Sequence, residues 1–368
     1  MTAAEFQLHP RHKNWGMEPF FLGLVGAGFL YVSYAKLWHL TIVPETIVLV
    51  VFLGGLMGIT RIPFPKSWRG KAIPLWVYAL ISGGISGFMD SFLVLMMVGK
   101  AELVGSEKDK FQFRALNMIA ALIGGLTLYF GEVYMLPLAL KYGMRYWYSM
   151  LPVVPPVIAF LFYLSWRLSK LNIQVVGIKN MEGGHKKSTA DRGDYLEFAG
   201  AIALLLVTHD AVLCLGVLLL YSYITGQGED LIDVLKTETE MGVMLLLVFA
   251  ALIAVPIEPF MAQLSGWWAF IPSTINGVLT GAIFPASGDV WFDTHILSTA
   301  VLITPVSSLV GVMLFKTWSE WVAYMKLSFA LAAIWFLLCG AWFHGVWPML
   351  EDPFYKVFPK PSLVESPR

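Results

Sequence analysis

Ten apolar runs of helical length divide this chain and fix most of what it can become. To within a few residues they are 17–38, 40–61, 73–98, 112–140, 146–168, 194–225, 240–264, 267–288, 292–315 and 325–348. Each has about 20 residues or more, enough for a helix to cross roughly 30 Å of hydrocarbon. A chain in lipid must satisfy its backbone within its own elements, so the expected fold is an all-α polytopic membrane protein. Apolar residues make up 57% of the 368 and charged residues 14%, against about 45–50% and 25% in soluble domains. The 25 basic and 25 acidic residues balance, so nothing points to nucleic acid as a partner. Cys214 and Cys339 lie inside apolar runs without metal-ligand or CxxC spacing and read as structural thiols. The N-terminus is basic but has no short apolar core with a small-residue cleavage site, so the first run reads as a mature helix.

Two runs are unsuited to a simple crossing. Segment 73–98 carries Ser82, Gly83, Gly84, Ser86, Gly87 and then Asp90, and segment 240–264 carries Pro256, Glu258 and Pro259. Such residues are tolerated at bilayer depth where the backbone is buried in protein or lines a wet cavity. Basic residues concentrate in 61–71, 99–114 and 167–193. The positive-inside rule places all three on the cytoplasmic face only if 73–98 enters and leaves by one side, as a re-entrant hairpin. The same rule puts the N-terminus in the cytoplasm and the loop with Glu229, Asp230 and Asp233 outside. A second hairpin at 240–264, entering from outside, leaves the tail with Lys356 and Lys360 inside.

The polar loop 169–193 divides the chain into a first half, 1–168, and a second, 194–348, followed by the tail 349–368. Each half shows a hairpin and then an interrupted span: 73–98 with 112–140, and 240–264 with 267–288. Asp90 is followed by Asn117, Gly124-Gly125 and Gly131-Glu132; Glu258 is followed by Asn276, Gly281 and Gly288-Asp289. With hairpins entering from opposite faces, this order describes two inverted repeats, an organisation common in secondary transporters.

The residues that could carry chemistry are oxygen donors. Asp90 is flanked by Ser86 and Ser91; it either exchanges its proton for a hard cation or stays protonated and bonds a neighbouring helix. Asn117, Thr127 and Glu132 surround a glycine-weakened stretch, which would either hold a coupling ion or only permit close packing. Asn276, Thr280 and Asp289 form the second-half counterpart, with Asp289 equally suited to a solvated helix end. Glu258 mirrors Asp90, although prolines also flank acids at ordinary helix ends. His209 and Asp210, inside a long apolar run, suit either proton relay or a static hydrogen bond. Glu45 and His344 read as interfacial.

All these buried ionisable groups are acidic or His, and no Lys or Arg falls mid-span. A carboxylate-lined path favours a cation over an anion. No Walker motif, HExxH, GxSxG or Cys/His cluster is present, so the expectation is no enzyme, no cofactor and no metal beyond a transported cation.

The stretch SGFMDSFLVL followed by NMIAALIGGLTLYFGEVYMLPLALKYG resembles the ion transporter superfamily, and within it the sodium/proton antiporters of the NhaD type. The matching elements are Ser86, Gly87, Phe88, Met89, Asp90 and Ser91 in the hairpin, and Gly124, Gly125, Phe130, Gly131 and Glu132 at the break. The family's Asn after the hairpin Asp is Ser91 here, its Asp after Phe-Gly is Glu132, and Glu258-Pro259 and Gly288-Asp289 replace the second-half Asp-Asn and Gly-Ser. The resemblance covers roughly 82–143. It implies inverted repeats, ion sites at hairpin tips and helix breaks, and often a homodimer moving a transport domain against a scaffold.

The expected function is thus proton-coupled antiport of a monovalent cation, sodium first, across a bacterial-type inner membrane. Alternatives are a cation-coupled carrier of an anion or organic acid, and a non-transporting subunit that anchors partners through 169–193.

Overall fold

The computed structural model describes residues 73–87, 101–128, 135–144, 146–178, 192–208, 210–225, 270–274, 287–307, 314–315 and 317–360, with single positions at 27, 30, 48, 51, 52, 55, 56 and 231. The described residues are mostly helical. In chain order the elements are α1 (Leu75–Ser86), β1 (Ala101–Gly105), α2 (Glu107–Gly124), α3 (Leu136–Lys141), α4 (Val154–Ser169), β2 (Ile173–Ile178), α5 (Arg192–Thr208), α6 (Ala211–Ile224), α7 (Phe270–Ser273), α8 (Val290–Ile303), α9 (Trp318–Gly340) and α10 (Trp347–Tyr355). Short 3₁₀ turns occupy Gly125–Thr127, Trp147–Val153 and Pro305–Ser307, and a π-helical segment, Ala341–Val346, joins α9 to α10. The pairing of β1 with β2 corrects the all-helical expectation. These strands lie in the basic loops 99–114 and 167–193.

Among the described residues two helices are long and apolar enough to cross a membrane: Trp147–Ser169, which includes the preceding 3₁₀ turn, and Trp318–Tyr355. The second starts seven residues before its apolar run because Thr317 and Glu320 form a reciprocal capping box. Its π segment lies just ahead of Pro348, which has no N–H to give to the preceding turn.

The chain forms two compact units, one of residues 1–39, 48–71 and 177–243, the other of 40–47, 72–176 and 244–368. In the larger unit α1 packs on α2 and α4, and α8 on α9. The α1–α2 contacts rise together along both helices: Tyr78 with Phe113 at 5.2 Å between rings, Ser82 with Asn117, and Gly87 with Thr127. The helices therefore run parallel and start on the same side. Against α9, α8 runs antiparallel: Ile303 meets Ser328, Ser298 meets Trp335, and Trp291 meets Phe343.

The smaller unit corrects the reading of 194–225 as one crossing. The Tyr221 hydroxyl donates to Glu197 Oε1 at 2.7 Å, 24 residues away. In a continuous helix that separation would be about 36 Å. The run is instead two antiparallel helices, α5 of 17 residues and α6 of 14, with Asp210 ahead of the second. Asp210 makes the turn by adopting an extended conformation and capping α6, accepting from Leu213 N at 2.9 Å.

Candidate functional site

Helix α2 is a strong helix that stops inside an apolar segment. Ser106 caps its start and Glu107 pairs with Lys110 at 2.8 Å; that ammonium holds the Glu107 carboxyl below its ordinary range. The α-helix ends at Gly124, one 3₁₀ turn follows, and Leu128 is extended at φ −129°, ψ 149°. Helix resumes at Leu136. The span expected at 112–140 is thus interrupted where its glycines suggested.

Close backbone approach sets the geometry of this region. A methyl group at Gly124 would overlap the Gly83 backbone, and one at Gly87 would overlap the Thr127 hydroxyl. Beside this contact Asn117, fully buried, accepts from the Ser82 hydroxyl at 2.9 Å and donates to its own Phe113 carbonyl at 2.8 Å. Thr127 Oγ1 donates to Gly124 O at 2.9 Å. Ser86, also buried, closes α1.

Because α1 and α2 are parallel and end together, two helix C-termini converge at Gly87 and Gly124–Thr127. Each terminus carries about half a negative charge from its unshared carbonyls. Two such ends side by side repel one another unless a cation or a donor intervenes. Helix-end carbonyls, a threonine hydroxyl and a buried amide form the oxygen-rich environment that a hard cation prefers.

Asp289 occupies a different setting. It is exposed and caps α8, its Oδ1 accepting from Trp291 N at 2.9 Å and Phe292 N at 3.1 Å. Gly288 supplies the tight turn with φ +93°, a conformation costly for other residues, and its N–H donates to the Tyr142 hydroxyl at 3.0 Å. Tyr142 in turn donates to Asp293 Oδ2 at 2.8 Å, which also accepts from Ser287 N at 2.9 Å. Burial lowers the Lys141 ammonium to about 8, against the pull of Asp293. Sequence reasoning missed this cluster, although two carboxylates four apart at a helix start were a visible signal.

Asp210 caps α6, and Thr208 Oγ1 donates to Leu204 O at 2.8 Å and sits 3.7 Å from Cys214 Sγ. Asp90, Ser91, Glu132, His209, Glu258, Asn276 and Thr280 lie outside the described residues, as does the segment 240–264. Of the expected ion ligands, Asn117 and Thr127 belong with the converging helix ends, whereas Asp289 belongs to the α8 cap. Sequence reasoning also passed over His295, buried on α8.

No protein-family model and no curated protein matches this chain.

Proposed function

We propose that the chain is a multi-pass membrane protein that exchanges protons for a monovalent cation, sodium first. The observation that carries this reading is the convergence of the α1 and α2 C-termini beside Asn117 and Thr127. Asp90 follows α1 by four residues and Glu132 follows Leu128 by four, so the sequence supplies exchangeable carboxylates next to two negative helix ends. A cation bound there would relieve the like-charge contact; protons on the carboxylates would displace it. Cation and protons compete for one set of oxygens, which is sufficient for antiport. Glu258, Asn276, Thr280 and Asp289 are assigned to a second half-site, and His209 with Asp210 to proton transfer.

Residence in lipid is supported by what the long helices expose. On α4, Ile158, Phe162 and Trp166 form an exposed apolar stripe, while Ser165 is buried. Aromatic residues mark both ends of Trp147–Ser169, as at membrane interfaces. The N-terminus is assigned to the cytoplasm, in a bacterial-type inner membrane.

We read the antiparallel α5 and α6 as the second half's re-entrant hairpin, a reading in which 240–264 is assigned as a crossing. The tail then stays cytoplasmic, 226–239 moves inside, and the opposed entry expected of the two hairpins is given up. Both hairpins carry the same pattern, Asp90-x-x-Leu93-x-Leu95 and Asp210-x-x-Leu213-x-Leu215.

The test is flux in proteoliposomes with a trapped pH dye across a panel of alkali cations. Sodium-driven proton movement is expected, lost in Asp90→Asn; full flux in Asp90→Asn would falsify the assignment.

A further inference from the structure

Buried polar atoms are normally hydrogen-bonded, so those that are not are informative. Where α8 meets the π segment, Thr294 Oγ1, His295 Nδ1 and Trp347 Nε1 are buried with no hydrogen-bond partner. His295 is 1% exposed. Its Nε2 lies 2.9 Å from the Phe336 carbonyl. A carbonyl only accepts, so Nε2 carries the ring proton and Nδ1 presents a lone pair.

The direction of that lone pair follows from the neighbours. Phe336, Gly340 and His344 stand one turn apart along α9 and the π segment. Nε2 faces the first, Cε1 lies 3.6 Å from a Cβ position on the second, and the ring of His344 is 5.9 Å away between centroids. The order Nε2, Cε1, Nδ1 around the imidazole therefore turns Nδ1 toward His344. A methyl group at Gly340 would meet this ring at ordinary contact distance. His344 itself is exposed and can exchange protons with its surroundings.

We propose that His344 and His295 form a proton-binding site, an imidazole pair that holds one exchangeable proton between them and delivers it to the interior of the larger unit. His344 takes a proton from outside the protein, and its N–H donates to His295 Nδ1. The proton then resides on either ring, and the pair's net charge rises by one. Other ionisable groups stand apart. Tyr142 bonds Asp293 at the start of α8, where Asp293 also attracts Lys141. Cys339 on α9 is a buried thiol. The charged residues of α2 lie in 107–114 and those of α9 in 320–326, α7 has none, and Glu351 of α10 is bridged to Lys360 at 2.7 Å.

Its role in cation exchange rests on the antiport reading, but proton binding can be tested alone. The full chain, with ¹⁵N-histidine and in lipid bilayers, is titrated by solid-state NMR between about pH 5 and 8, signals being assigned with His295→Gln and His344→Gln. His295 Nδ1 is expected to gain a proton in the unsubstituted chain and to stay the neutral Nε2–H tautomer throughout in His344→Gln, whose exposed site leaves packing intact. An unchanged titration of His295 in His344→Gln, or none in the unsubstituted chain, overturns the pair. In proteoliposomes His344→Gln should slow proton flux on the order of tenfold, below the usual range for a positioned proton donor, with sodium affinity retained. An NMR-confirmed pair in a chain that moves no ions would refute antiport and leave the site standing.

Discussion

The α1–α2 seam and the α8–α9 seam bury polar groups between apolar helices in opposite ways. At the end of α8 the closing carbonyls are taken by hydroxyls: Leu302 O by Tyr324 at 3.1 Å, Ile303 O by Ser328 at 2.8 Å, and Val301 O and Thr304 O by Ser307. Trp335 Nε1 donates to Ser298 Oγ at 3.0 Å further along. The α1–α2 seam has glycines at its contact, and at the end of α2 the Thr127 hydroxyl bonds Gly124 O. One helix end is saturated by its own protein and the other is packed close to a second end of like sign. The difference teaches where a cation could bind: an end already capped offers no oxygens to it.

The largest expected effect is on the glycine contact. Gly124→Ala would push a methyl into the Gly83 backbone, which cannot move aside like a side chain. Overpacking of this kind costs about 1–3 kcal/mol or more; thermal unfolding in detergent should show it, together with loss of flux. Gly83→Ala faces the tip of Leu161 and should cost less, while Gly84→Ala meets open space and should be neutral or mildly stabilising. Equal melting points for all three would dissolve the distinction between the seams.

Next in size is a split between affinity and stability. Thr127→Val removes a hydroxyl at the converging ends, and we expect sodium affinity to fall roughly tenfold, about 1.4 kcal/mol, with little change in melting. Tyr324→Phe and Ser328→Ala uncap α8 and should lower stability by about 1 kcal/mol each with sodium affinity unchanged. Isothermal titration beside thermal unfolding separates the two. The reverse assignment of effects would place the cation at the other seam.

How far these seams were legible in sequence follows from how local their causes are. Gly124-Gly125 marked the break in α2, and hydropathy marked 146–168 and 325–348, close to the helices Trp147–Ser169 and Trp318–Tyr355. The seven extra residues of α9 carry a charged capping box, which a hydropathy reading discards. The reversal between α5 and α6 escaped because no glycine or proline announces it; Asp210 before an apolar run was a cap signal that the run's length obscured. His295 was illegible for another reason: its setting is made by residues 336–344, some forty positions away.

A separate effect, read as a slope in pH rather than as a loss, concerns Lys141, beside the capped start of α8. Burial lowers its ammonium to about 8 in the folded chain, against about 10.4 for an unperturbed lysine. Between those values the unfolded chain binds more protons than the folded one, so folding stability rises with pH through this window. Below pH 8 the burial penalty on the charged form is fully present, offset in part by Asp293. Lys141→Met removes the titration, and the melting temperature should then lose its climb between about pH 8 and 10. A climb that persists in Lys141→Met would assign the pH dependence to another group. A climb that disappears leaves α2 to be compared with α8 in a background free of this titration, where the effect of Thr127→Val can be read at alkaline pH.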